Sequence, residues 1–117
     1  PVPMHKQKMA KRGYNQTELI ADELSKMLKI PARKDILSKV VNTTTQSKLG
    51  GKARQSNIQH AFFIKNDVKV EDKKVILLDD IYTTGATSEE CSSVLKNAGS
   101  TEILILVLDQ VPYLLNY

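Results

Sequence analysis

The chain has 117 residues, 41% of them hydrophobic, enough for one compact core and an argument against global disorder. A formal charge of +4 and a pI of about 9.2 favour polyanionic partners, although a solvated lysine-rich surface explains the balance equally well. One cysteine, Cys91, excludes an internal disulfide or a cysteine-based zinc cluster, and no apolar run reaches the ~18 residues of a bilayer span.

The start, PVPMHKQKMAKRGYN, is basic, lacks an apolar signal core and has no initiator methionine. The expectation is a single cytoplasmic domain over residues 1–117, a fragment whose first elements lie upstream. A helix is predicted from Asn15 to Lys29: Asn15 caps it, Glu18 takes the capping-box position, and Pro31 stops it. Leu19, Ile20, Leu24, Met27 and Leu28 form its apolar stripe. DILSKVV, Asp35 to Val41, reads as a short strand. Asn42 to Ala61 is polar, contains Gly50 and Gly51, and reads as a functional loop.

AFFI reads as a strand, Asn66-Asp67 as a turn and VKVE as a second short strand. KKVILLDDI is the strongest strand, its aliphatic run suited to burial on both faces of a parallel sheet. A second helix runs from Thr87 to Ala98, with Cys91, Val94, Leu95 and Ala98 inward and Gly99 as its stop. EILILVLD is a second wholly buried strand. Strand, helix, strand in this order predicts an α/β fold with a right-handed crossover.

VILLDDIYTTGAT, Val75 to Thr87, carries the chemistry. Asp79 and Asp80 end a strand, where ligands collect in parallel sheets. The loop then enters a helix N-terminus, whose unpaired N–H groups and dipole favour an anion. Gly85 permits a tight path, and Thr83, Thr84 and Thr87 add hydroxyls. Carboxylates repel phosphate but accept hydrogen bonds from sugar hydroxyls. A ribose 5-phosphate meets both needs. The plain alternative is a capped helix that follows an incidental Asp-Asp pair.

The same stretch resembles the phosphoribosyl pyrophosphate (PRPP) motif of type I phosphoribosyltransferases: four hydrophobic residues, two acids, then a Thr/Gly loop. VPMHKQKMAKRGYNQTELIA and TTTQSKLGGKARQSNIQHAF resemble two further segments of that family's competence protein F (ComF) subgroup, so the likeness covers roughly residues 1–108. It implies a Rossmann-like parallel sheet of the type I core, here lacking its first strand. That subgroup often carries an upstream cysteine-rich, zinc-ribbon-like region, which this sequence lacks.

The resemblance also implies roles. Asp79 and Asp80 hold the ribose, and Thr83, Thr84, Gly85, Ala86 and Thr87 bind the 5-phosphate. Val2 to Lys6 border the pyrophosphate loop, with His5 and Lys6 as ligand contacts. Asn42 to Ala61 becomes a hood over the ligand, with Arg54 as a phosphate contact and Lys48 and Lys52 as further cations. Mg²⁺ arrives on the diphosphate, held by ligand oxygens and water, and no protein metal ligand is assigned. Arg12 fits a basic family position. Gly13, Tyr14 and Asn15 set a helix entry, Gln46 and Asn57 organise the hood, His60 is structural, and Cys91 is core.

The activity implied is phosphoribosyl transfer from Mg-PRPP to an acceptor that the sequence leaves open. The alternative is a non-catalytic PRPP or nucleotide sensor, or a single-stranded-DNA-binding module linked to competence, although aromatics for base stacking are scarce at 5%. PRPP, single-stranded DNA and a second copy of the chain (a homo-oligomer) are the candidate partners.

Overall fold

The computed structural model describes residues 1–40, 60–65, 67–82 and 84–110. Its elements run α1 (Lys6–Arg12), α2 (Gln16–Leu28), β1 (Leu37–Lys39), β2 (Phe62–Ile64), β3 (Lys74–Tyr82), α3 (Ala86–Asn97) and β4 (Glu102–Gln110). The fold is α/β. β3 and β4 pair in parallel, Lys74 opposite Glu102 and Asp79 opposite Val107, with α3 connecting them. β1 and β2 form a separate antiparallel pair, with Leu37 opposite Ile64 and Lys39 opposite Phe62.

α1 has no counterpart in the sequence expectation, because KQKMAKR shows no apolar stripe. Its ends hold it instead. The His5 ring accepts the Gln7 N–H at 3.2 Å, and Gly13, at φ 84, donates its N–H to the Met9 carbonyl at 2.7 Å. Lys11 and Arg12 occupy the last turn, where cations complement the helix dipole. α2 begins as expected at Asn15, whose Oδ1 accepts the Thr17 N–H at 3.1 Å. The same buried amide donates to the Val2 carbonyl at 3.2 Å, tying the helix to the N-terminal segment. Lys29, at φ 55, ends the helix before Pro31 is reached.

The predicted apolar stripe of α2 is covered only in part, at Ile20 and Leu24, which are half-buried. Leu19 and Leu28 are exposed and Met27 is 77% exposed, while the buried residues are Thr17 and Ala21. α2 packs against β3, and its Leu24 lines the cavity between them with Ala21.

The core joins Leu77 of β3, Cys91 and Leu95 of α3, Phe62 of β2, Leu37 of β1 and Val70. Val70 belongs to the stretch expected as a strand, and that expectation is corrected. Residues 68–70 are irregular and lead into a turn in which Asp72, at φ 59, donates its N–H to the Gly99 carbonyl at 3.0 Å. Burial of Val70 in the core takes the place of strand pairing. The strand expected over Asp35 to Val41 is narrower, covering Leu37–Lys39.

β4 is also corrected. It was expected to be wholly buried, yet none of its residues is, and Leu104 is 62% exposed. Among the described residues β4 pairs only with β3, and α3 packs against both strands. β3 itself is buried at Leu77, Leu78 and Asp79, but Ile76 and Ile81 are exposed. On the edge of β3 away from β4, the Val2 N–H donates to the Leu78 carbonyl at 2.8 Å. An apolar cavity of about 320 Å³ flanks the first half of β3, lined by Leu24, Leu28, Ile36, Val70 and Ile76 among others. It runs along β3 from Lys74 to Leu78, and its lining stops short of Asp79 and Asp80.

Candidate functional site

Alternation along β3 sends Leu77 and Asp79 toward α3 and Asp80 to the other face. Asp79 is 7% exposed. Its Oδ1 accepts the Asp80 N–H at 2.9 Å, and its Oδ2 accepts the Ser88 hydroxyl at 3.4 Å. Burial, reinforced by the neighbouring Asp80 carboxylate, pushes the Asp79 carboxyl up to about 6, against two opposing hydrogen bonds. Asp80 is half-buried, and its Oδ1 accepts the Ile81 N–H at 2.8 Å. The pair is therefore asymmetric: one acid is enclosed between strand and helix, and the other stands nearer solvent.

Thr83 lies outside the described residues. Beyond it, the Thr84 hydroxyl accepts the Ala86 N–H at 3.3 Å, and the Gly85 carbonyl accepts the Glu89 N–H at 2.8 Å. Gly85 occupies the cap position of α3 at φ 81, a left-handed conformation natural to glycine. A Cβ there would stand 2.7 Å from Cζ of Tyr82 and collide with its hydroxyl oxygen. Ala86 is buried and Thr87 half-buried in the first turn of α3. The acids, the glycine turn and the helix N-terminus thus form one continuous piece of chain at the end of the sheet.

Three basic side chains come from other elements, and of these Lys39 is close enough to Asp79 for their charges to interact. Lys6 opens α1 and is exposed. His5 lies in the N-terminal segment, but both its ring nitrogens serve the fold: with Nδ1 accepting from Gln7, Nε2 carries the proton and faces the Val40 carbonyl at 3.1 Å. Lys39, which the sequence reading did not single out, is half-buried with its ammonium 5.5 Å from the centre of the Phe62 ring. Burial and the Lys8 ammonium push its pKa down, while Asp79 pulls it up. No local signal marked Lys39 or Ser88, since the β1–β2 register and the packing of α3 bring them in.

Arg54 and most of the expected hood, including Gln46, Lys48, Lys52 and Asn57, lie outside the described residues. His60 is exposed, and its backbone, at φ 61, donates its N–H to the Glu90 carboxylate at 2.9 Å. Cys91 is fully buried, and burial pushes its thiol up to about 12, which keeps it neutral core. Among the described residues no three His, Cys, Asp or Glu side chains gather in a metal-binding group, and no helix is long and apolar enough to cross a membrane.

Residues 14–111 match the family model described as a phosphoribosyl transferase domain. Competence protein F of Haemophilus influenzae is 38% identical over 108 residues, covering 90% of this chain and 46% of the relative. Competence protein ComFC of Streptococcus pneumoniae is 31% identical over 102 residues, covering 87% and 43%. DNA utilization protein YhgH of Escherichia coli K12 is 27% identical over 107 residues, covering 92% and 46%. The chain thus spans less than half the length of these relatives. No solved structure gives a significant match.

Proposed function

Because the chain belongs to the type I phosphoribosyltransferase family, in its competence protein F subgroup, we propose that it binds PRPP with magnesium and transfers the phosphoribosyl group to an acceptor. The observation that carries this reading is the junction at the end of β3. There Asp79 and Asp80 are followed at once by the left-handed Gly85 and the first turn of α3. Carboxylates suit the ribose hydroxyls, and the helix start suits the 5-phosphate.

In the transfer, the acceptor forms a bond to C1 of the ribose while the C1–O bond to pyrophosphate breaks, its electron pair leaving with pyrophosphate. Asp79 and Asp80 fix the sugar, and the 84–87 turn anchors its phosphate, so catalysis rests on positioning and electrostatics. Asp79 and Asp80 offer carboxylate oxygens, the hard donors that suit magnesium, and an ion carried on diphosphate oxygens and water would need little more from the protein. Magnesium would supply charge neutralisation for the departing diphosphate.

Pyrophosphate release from Mg-PRPP, measured with a panel of bases, tests the proposal. Release should require an acceptor and vanish when Asp79→Asn and Asp80→Asn are combined. PRPP affinity should fall at least ~100-fold in that folded double variant, because charge-assisted hydrogen bonds contribute about 1.5–3 kcal/mol each. Unchanged affinity would remove the ribose assignment.

Binding without turnover would favour the second reading, a sensor or DNA-binding module. Its supporting observation is α1, which exposes Lys6, Lys8, Lys11 and Arg12 within seven residues, in a chain whose relatives carry competence and DNA-utilization names.

A further inference from the structure

Asp79 is more enclosed than Asp80, yet the PRPP reading needs it ionised, because a protonated carboxyl has less capacity to accept sugar hydroxyls. Behind it stands α3, whose residues Ser88, Cys91 and Leu95 follow the i, i+3, i+7 spacing of an inward stripe and are all buried. Cys91 and Leu95 are ordinary core. Ser88 is not: at 1% exposure it encloses a hydroxyl among apolar core neighbours. A buried hydroxyl without a partner costs about 1–3 kcal/mol. The Ser88 hydroxyl has one, donating to Asp79 Oδ2 at 3.4 Å, while Oδ1 takes the Asp80 N–H. This hydrogen bond is long, as catalytic contacts in ligand-free sites often are.

We propose that Ser88 is a positioning residue for sugar binding, its hydroxyl holding the Asp79 carboxylate against α3 in the orientation that ribose hydroxyls need. The inference rests on the PRPP reading for its ligand and on the Ser88–Asp79 contact for its residue. The contact links the end of β3 to the first turn of α3, so it also ties the acid to the helix start that would take the phosphate. Besides Ser88, the groups facing Asp79 are Asp80 on its own strand, Lys39 from β1 and Cys91 from α3. Cys91 is neutral, so Ser88 is the uncharged donor that favours the ionised acid from the helix side.

The experiment follows the Asp79 carboxyl by carbon NMR and ribose 5-phosphate affinity by calorimetry, both from pH 5 to 8, in wild type, Ser88→Ala and Ser88→Thr. Ser88→Ala should raise the Asp79 midpoint by about half a pH unit, roughly a threefold change in the proton equilibrium. The affinity profile should move upward with it, with the largest loss near pH 6 and little at pH 8. Ser88→Thr, which keeps the hydroxyl, should restore both. An unmoved midpoint in Ser88→Ala, or an affinity loss equal at every pH, overturns the proposal, since packing alone would produce the latter. If wild type binds no ribose 5-phosphate at any pH, the PRPP reading and the sugar role fall together. A shifted midpoint would then still establish Ser88 as the group that holds Asp79.

Discussion

The ring of Tyr82 lies against Gly85 and fills the space where a Cβ at that position would stand. The last residue of β3 thus packs on the cap of α3, and the turn between them has both its backbone angle and its volume set by glycine. Gly85→Val should weaken ribose 5-phosphate binding more than tenfold while costing roughly 1–3 kcal/mol of stability from backbone strain. Adding Tyr82→Ala should recover only part of the melting temperature, because the left-handed angle remains. Calorimetry and thermal melts together test this. Normal binding by Gly85→Val would place the phosphate elsewhere.

Asp79 gives stability a particular pH dependence. Its carboxyl titrates near 6 in the folded chain, against an ordinary value of 3.8. The folded state therefore holds the proton more tightly than the unfolded state. This contribution is fully present below about pH 4 and is lost as pH rises through about 6. A shift of that size corresponds to ~2–3 kcal/mol. Urea denaturation of wild type and Asp79→Asn at pH 4.5 and 7.5 should show the variant gaining on wild type at the higher pH. A constant difference between the two pH values would contradict the enclosed position of Asp79.

Asn15 does two jobs with one buried amide, capping α2 through Oδ1 and holding Val2 through Nδ2. Asn15→Ala should destabilise the chain by about 1–2 kcal/mol, the usual cost of a lost cap. Asn15→Asp keeps the acceptor and loses the donor, so denaturant midpoints should place it between wild type and alanine. Equal midpoints for Asn15→Ala and Asn15→Asp would show that the tie to Val2, and not the cap, carries the effect.

The basic face of α1 predicts weak, strongly salt-dependent binding of single-stranded DNA, because lysines that neutralise phosphates release counterions. Lys8→Glu with Lys11→Glu should make the log-affinity against log-salt slope shallower by about 1.4, the share of two contacts. PRPP affinity retained in that variant would separate the DNA surface from the sugar site. Unchanged DNA binding would remove α1 from consideration.

The unit from Lys74 to Gln110 was legible from sequence because its signals are local. Two aliphatic runs flank a helix that Gly99 ends, and the acid pair with its Thr/Gly turn is contiguous in the chain. The α2 cap at Asn15 and the core position of Cys91 were legible for the same reason. Tertiary structure alone decided which faces are covered. Periodicity in α2 selected five residues, of which Ile20 and Leu24 are half-buried while Leu19, Met27 and Leu28 are exposed, and Thr17 and Ala21 are the residues fully covered. The aliphatic content of β4 suggested full burial, but an edge strand is covered only where a neighbour reaches it. α1 left no apolar trace because its caps and the His5–Val40 contact hold it. Two adjacent acids looked equivalent in the sequence. Strand alternation turns one of them toward α3, and a serine one turn into that helix meets it there, a contact set by how β3 and α3 pack together and not by any local pattern of residues.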